Sequence, residues 1–284
     1  MEILSPAKIN LFLYVTSKRP DEYHNLVTLM CCIGLYDRLT FEVGRPGVSV
    51  RCSHPDVPEN ASNLAWKAAE LFFSRLKEKT NDRSEGVRIS IEKNIPVGAG
   101  LGGGSSNAAT VFSGLNYYYN DPFSKNQLMQ MGRLVGADVP FLIFQKPALA
   151  SGVGEILEPY EKIPRRNVVV VFPGIQVSTA EIFNNLNLRL TKCEKKLKNV
   201  LLKKQDFCIK QHLCNDLETV TLPKYPRISK VKTALYHCGA EGVLMTGSGS
   251  SVFGLYPDDQ SALKAKRDML KKHDWQVFSA EMLI

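Results

Sequence analysis

The stretch PVGAGLGGGSSNAAT, residues 96–110, sets five glycines between positions 98 and 104 and then turns to Ser, Asn and Ala. Neither a helix nor a strand holds glycine at that density, because each one loses the most backbone freedom on ordering. Upstream, VRISIEK (87–93) alternates, with Val87, Ile89 and Ile91 on one side, as a half-buried strand does. Downstream, Ala108, Ala109, Phe112 and Leu115 share a helical face until Asn120, Asp121 and Pro122 end it. The order is strand, glycine loop, helix. Backbone N–H groups freed of side chains at a helix N-terminus make a concave positive cluster suited to phosphate oxygens. Ser105 and Ser106 add hydroxyls for the phosphates or for the magnesium of a nucleoside triphosphate. The plainer alternative is a tight connection whose serines cap the helix, and the number of glycines argues against it.

Other phosphate loops fit poorly. Gly98, Gly100 and Gly103 satisfy the dinucleotide pattern, but the acid expected about 20 residues on would be Asp121, in a turn after a helix instead of at the end of a second strand. A P-loop needs Gly-Lys-Ser/Thr, and the chain has no Gly-Lys pair. The protein-kinase loop joins two strands and accompanies HRD and DFG, both absent.

The 284 residues, 44% of them hydrophobic, suffice for two domains. KINLFLYV (8–15) reads as a half-buried strand with Ile9, Leu11 and Leu13 on one face, and a loop KRPDEYHNL follows. A helix is predicted from about Ser124 to Gly136, and another start at Asp138 before Pro140. Gly152, Gly154 and the polar EPYEKIPRRN suggest a domain junction between residues 152 and 166. Beyond it come the strand VVVVF (168–172), a capping-box sequence from Ser178 to Glu181, and a lysine-rich helical stripe over 189–204. A helix through Val231 and Tyr236 follows, then strand, turn and strand over 243–256, a helix from Asp258 and a last strand around 275–278. Strands and helices alternate in both halves, which predicts two α+β domains.

No apolar run reaches a membrane span and the first residues lack a signal-peptide layout, so a cytoplasmic protein is expected. The seven cysteines contain no CxxC pair and read as reduced, mostly buried thiols, with neither a zinc cage nor a disulfide framework. Much of the +8 net charge sits in the 189–204 segment, read as a solvated helix face, and no nucleic-acid-binding signature accompanies it.

The loop PVGAGLGGGSSNA (96–108) resembles the phosphate loop of the GHMP kinase superfamily, P-x-G-x-G-L-G-S/G-S-S-x-A. PAKINLFL (6–13), YHNL (23–26) and GADVPF (136–141) are similar to further stretches of its cytidylated-methylerythritol branch, and MTGSGSSVF (245–253) resembles the third glycine motif of the superfamily. The resemblance implies an N-terminal ribosomal-protein-S5-domain-2-like nucleotide domain (1–155) and a C-terminal ferredoxin-like α/β-plait domain (156–284), with the active site in the cleft between them. It implies an ATP-dependent small-molecule kinase that phosphorylates the 2-hydroxyl of a cytidine-diphosphate sugar alcohol for isoprenoid synthesis, with Mg2+ as cofactor. Neither nucleic acid nor membrane is then a partner, and monomer and weak dimer both stay open. Homoserine- or mevalonate-type kinases and a non-catalytic nucleotide-binding regulator are the competing readings.

By the same resemblance Asp138 takes the proton of the attacking hydroxyl and Lys8 contacts that hydroxyl and Asp138. Pro96, Val97, Gly98, Ala99, Gly100, Leu101, Gly102, Gly103, Gly104, Ser105, Ser106 and Asn107 cradle ATP, with Lys93 and Asn63 on its adenosine side. Asn10 binds the erythritol hydroxyls, His24 hydrogen-bonds the base between Tyr23 and Phe183, and Thr179, Gly247, Ser248 and Gly249 complete the acceptor site. Local chemistry also allows Asp138 as a helix N-cap, Thr179 as part of a helix start, and 246–251 as a plain hairpin turn. One departure stands out. The superfamily branch reads D-G-Y-H where this chain has Asp21, Glu22, Tyr23 and His24, so either the turn changes or Glu22 must adopt a glycine's conformation.

Overall fold

The computed structural model describes residues 1–80, 86–191, 193 and 206–284. Most of the lysine-rich helix expected over 189–204 lies outside the described residues. Two compact units emerge, neither of them continuous in sequence. The first comprises residues 1–7, 36–97 and 102–145, and the second 8–35, 98–101 and 146–284. Strands β1 (Glu2–Lys18) and β2 (His24–Val43) supply residues to both.

In the first unit, β3 (Gly47–Cys52) runs parallel to β4 (Gly86–Glu92), and β4 pairs antiparallel with the Arg38–Val43 half of β2. β4 alternates as its sequence predicts, burying Val87, Ile89 and Ile91. Helices α1 (Leu64–Thr80) and α2 (Gly103–Tyr118) pack together. Phe72 of α1 meets Phe123 edge-on at 5.4 Å between ring centroids, a favoured aromatic geometry. Helix α3 (Lys125–Val135) starts at a full capping box, Ser124 with Gln127, and stops at Gly136, as read from sequence. The short α4 (Val139–Phe144) begins after Asp138 with Pro140 in its first turn.

In the second unit, strands β11 (Gln276–Leu283), β7 (Asn167–Phe172), β10 (Val252–Tyr256) and β9 (Gly242–Met245) follow one another, each pair antiparallel. The central β7 is buried from Val168 to Phe172, which explains its unbroken apolar run. Val169 and Val171 join Val231, Leu235, Ala262, Ala265 and Met269 in one core. The last five come from helices Pro226–His237 and Asp259–Lys272, the second capped by Asp258. No helix among the described residues is long and apolar enough to cross a membrane.

Several expectations change. β1 is buried on both faces from Ser5 to Leu13, because Phe12, on the face read as open, stacks on Phe207 at 6.4 Å. Gly152 and Gly154 turn a hairpin between β5 (Ala148–Ser151) and β6 (Ile156–Pro159). The box at Ser178 is half formed: Ser178 accepts the Glu181 N–H, while the Glu181 carboxylate pairs with Lys224. The cysteines are not all thiols either. Cys193 and Cys214 form a disulfide, Cα atoms 5.8 Å apart, beside β1, where Cys214 lies in register with Phe12. Their separation of 21 residues gave no local sign of it. Cys31 and Cys32 are buried thiols, and burial pushes the latter's pKa up to about 12.

Candidate active site

Helix α2 starts at Gly103, two residues before the predicted Ser105, with Gly102 as a left-handed N-cap and no side-chain cap. The serines therefore do not cap. Ser106 is buried, donating to the Pro6 carbonyl at 2.6 Å and accepting from Ser5 at 2.8 Å, whereas Ser105 is half-buried. The bareness of the loop also serves two purposes. A Cβ at Gly100, where φ is +77°, would lie 2.3 Å from the Thr246 carbonyl oxygen, so glycine here permits backbone to touch backbone. A Cβ at Gly103 would lie 2.7 Å from Lys93 Nζ. Gly98 and Gly104 are exposed, and Gly104 would meet only Leu64, at 3.7 Å.

Within the first unit, the start of α1 lies close to this helix start. Asn63 caps the beginning of α1, accepting the Ala65 N–H at 2.8 Å and donating to the Pro58 carbonyl at 2.7 Å. Its neighbour Leu64 approaches Gly104 and Gly136. Ser105 Oγ is 3.7 Å from where a Gly136 Cβ would stand, which brings the first turn of α2 against the segment leading to Asp138. Asp138 occupies the N-cap position of α4, yet its half-buried carboxylate makes no cap hydrogen bond. Pro96 and Val97 are half-buried at the loop's entry.

In the second unit, Lys8 and Asn10 are 4% and 2% exposed on the same face of β1. Lys8 Nζ donates to Asn10 Oδ1 at 2.7 Å, and Asn10 Nδ2 donates to Thr28 Oγ1 at 2.9 Å. The Lys8 N–H reaches the Leu101 carbonyl of the glycine loop at 3.0 Å. Thr246 joins these pieces: its hydroxyl accepts the Asn10 N–H at 3.2 Å and lies 3.3 Å from the Gly100 carbonyl. The turn 246–251 is buried throughout and receives Ala99, whose carbonyl accepts the Ser251 N–H at 3.1 Å. A plain hairpin turn would be solvated; this one is a packed brace.

His24 begins β2 and is 5% exposed, its ring 5.3 Å from that of Phe183. Burial, and secondarily the Lys18 ammonium, holds its imidazole below the usual range, with Glu22 opposing. A neutral ring with one donor and one acceptor results at pH 7. Tyr23 is 63% exposed and does not join that pair. Glu22 keeps the turn by taking φ +66° itself, paired with Lys18 on the surface. Thr179 is the first residue of α5 (Thr179–Asn184), and its hydroxyl meets that of Ser248 at 2.8 Å, so the helix start also touches the 246–251 turn.

Three polar residues that the sequence reading passed over support these groups. Asn215 donates both amide hydrogens, to the Met245 and Gly247 carbonyls, each at 2.8 Å. Glu218 accepts the Met245 N–H at 3.0 Å and pairs with Lys232 at 2.6 Å. Asp37, fully buried, binds Lys93, Asn107 and the N–H groups of Asn94 and Ile95. The available signal was a charged or amide residue beside apolar ones, in LMCCIGLYDRLTF and in CNDLE.

The chain matches the model of the GHMP kinases N terminal domain over residues 63–146 and that of GHMP kinases C terminal over residues 200–274. It is 41% identical to a 4-diphosphocytidyl-2-C-methyl-D-erythritol kinase of Citrifermentans bemidjiense over 97% of this chain and 96% of that one. A relative of the same name from Geotalea daltonii is 41% identical over 100% and 99%. Among solved structures, a 4-(cytidine 5'-diphospho)-2C-methyl-D-erythritol kinase superposes with a TM-score of 0.80 at 34% identity, covering both chains fully. A homoserine kinase from Cytophaga hutchinsonii, 17% identical with a TM-score of 0.71 over 99% of this chain and 94% of that one, shares the fold.

Proposed function

The chain belongs to the GHMP kinases, in the branch of the 4-diphosphocytidyl-2-C-methyl-D-erythritol kinases, and from that premise we propose that it phosphorylates the 2-hydroxyl of this cytidylated sugar alcohol. The reaction consumes ATP, yields the 2-phosphate and ADP, and serves the methylerythritol phosphate route to isoprenoid precursors. We assign it to the cytoplasm, where its ATP is. Within the molecule, the His24–Phe183 pair carries the choice of acceptor: a neutral buried imidazole beside an aromatic face suits the edge and plane of cytosine.

Phosphoryl transfer asks for positioning and for neutralisation of charge on the transferring oxygens. Asp138, at the N-cap position of α4, accepts the hydroxyl proton as the acceptor oxygen bonds to the γ-phosphorus and the bond to ADP breaks. Lys8, steered by Asn10, offers its ammonium to the reacting oxygen. The N–H groups at the start of α2 receive phosphate. Among the described residues no cluster of three or more His, Cys, Asp or Glu stands ready for a metal. Mg2+ would arrive on the triphosphate and keep phosphate and water oxygens. Ser105 would hold it from the protein side; when bound, the ion neutralises charge on the phosphoryl group.

Two variants test the assignment. Asp138→Asn is expected to keep ATP binding and lose about 10²- to 10⁴-fold in kcat. His24→Ala is expected to raise KM for the cytidylated acceptor and leave that for ATP close to wild type. Near-normal turnover in the first, or equal KM effects in the second, refutes the corresponding role.

A further inference from the structure

Asp37 is a charged residue sealed within the first unit that the phosphoryl-transfer scheme does not use. It is 0% exposed, so it cannot itself reach a ligand. All four of its partners belong to the strand–loop–helix that opens the nucleotide site. Oδ1 accepts the N–H groups of Asn94 and Ile95, each at 2.8 Å, which fixes the corner where β4 enters the glycine loop. Oδ2 accepts Asn107 Nδ2 at 2.9 Å, from the second turn of α2, and pairs with Lys93 Nζ, whose side chain is 4% exposed.

The place where this holds the lysine matters. Nζ lies 2.7 Å from the position of a Cβ on Gly103, the first residue of α2. A cation there faces the positive end of the helix and the bare N–H groups, an unfavourable arrangement unless an anion stands by. The Asp37 carboxylate is that anion in the structure described. A triphosphate at the helix start would be a second one, drawing on a lysine already desolvated and oriented.

We propose that Asp37 is a positioning residue of the nucleotide site: it holds Lys93 under Gly103, and the β4–loop corner with it, so that Lys93, expected from the resemblance on the adenosine side, instead adds its charge where phosphate binds. This rests on the kinase reading for the identity of the nucleotide, and on geometry for the rest. A merely structural Asp37 would affect stability alone; a positioning one acts on ATP through Lys93.

The test is a double-mutant cycle of Asp37→Asn and Lys93→Met, read by equilibrium titration with Mg-ATP, and by KM and kcat with the cytidylated acceptor. Asp37→Asn is expected to raise Kd and KM for ATP about 10-fold or more, with acceptor KM and kcat at saturating ATP within about 3-fold of wild type. In the Lys93→Met background the same change is expected to add less than about 3-fold, because its target is gone. Equal factors with and without Lys93, or a lowered unfolding midpoint with unchanged ATP affinity, would overturn the proposal. If Asp37→Asn alone does not fold, the double variant, which leaves no unpaired buried charge, is compared with Lys93→Met: equal Kd supports the assignment, and a further 10-fold loss refutes it. ATP binding without turnover of any acceptor would instead defeat the kinase reading and leave the cycle interpretable.

Discussion

The two glycine turns of this chain use the same residue for opposite ends. Residues 98–104 lead into a helix N-terminus and leave Gly98 and Gly104 open, whereas residues 246–251 are buried along their whole length. The first turn presents backbone and the second packs it. Gly100 belongs to the packing side although it lies in the first turn, because the Thr246 carbonyl occupies the space of its missing side chain. A glycine count thus identifies bare backbone but does not reveal what faces it.

That contrast can be broken by mutation. Gly100→Ala forces a Cβ onto a backbone oxygen and an L-residue into a positive φ, so a loss of about 3 kcal/mol or more is expected in urea unfolding. Full stability would mean that the turns are not in contact through it. Asn215→Ala strips both donors from the buried turn and leaves the Met245 and Gly247 carbonyls unsatisfied, for about 2–4 kcal/mol. A loss below about 1 kcal/mol would deny the second turn its brace. Gly104→Ala, whose Cβ would make one ordinary contact with Leu64 on a helix, is expected to change stability by less than about 1 kcal/mol, in the stabilising direction. A cost near that of Gly100→Ala would erase the distinction between the turns.

The smallest effects concern the loop before His24. Glu22→Gly relieves a left-handed conformation at an exposed site, and up to about 1 kcal/mol of stabilisation is expected from thermal unfolding. His24 and His212 both have imidazoles held below their usual range, mainly by burial. The unfolded chain therefore takes up their protons first as pH falls. Their contribution is complete above the ordinary histidine range and lost below it. The urea midpoint should drop between pH 7.5 and 5.5, and drop less in His24→Asn; an identical drop in that variant would remove His24 from the account.

Local pattern made part of this legible. The alternation of β4, the capping box at Ser124, the valine run of β7 and the strand–loop–helix around residue 100 follow from side-chain periodicity and turn chemistry. The 20-residue β2, in contrast, runs through both units and carries no single period, so its sequence does not announce it. The Cys193–Cys214 pair, Asp37 and Asn215 depend on residues 21 to 70 positions away, which no window of sequence contains. The roles expected of Lys8, Asn10, His24 and Asp138 come from the resemblance alone, because side-chain periodicity assigns none of them. The sequence reading let both Ser105 and Ser106 face phosphate, but the inward turn of Ser106 toward Pro6 appears only once β1 is in place beside α2.

The central claim is best tested by ADP release from purified protein with Mg-ATP, offered 4-diphosphocytidyl-2-C-methyl-D-erythritol, mevalonate, homoserine or no acceptor. Release stimulated by the cytidylated compound alone is the predicted result. Stimulation by mevalonate or homoserine instead, or by none of the acceptors while ATP still binds, would contradict it.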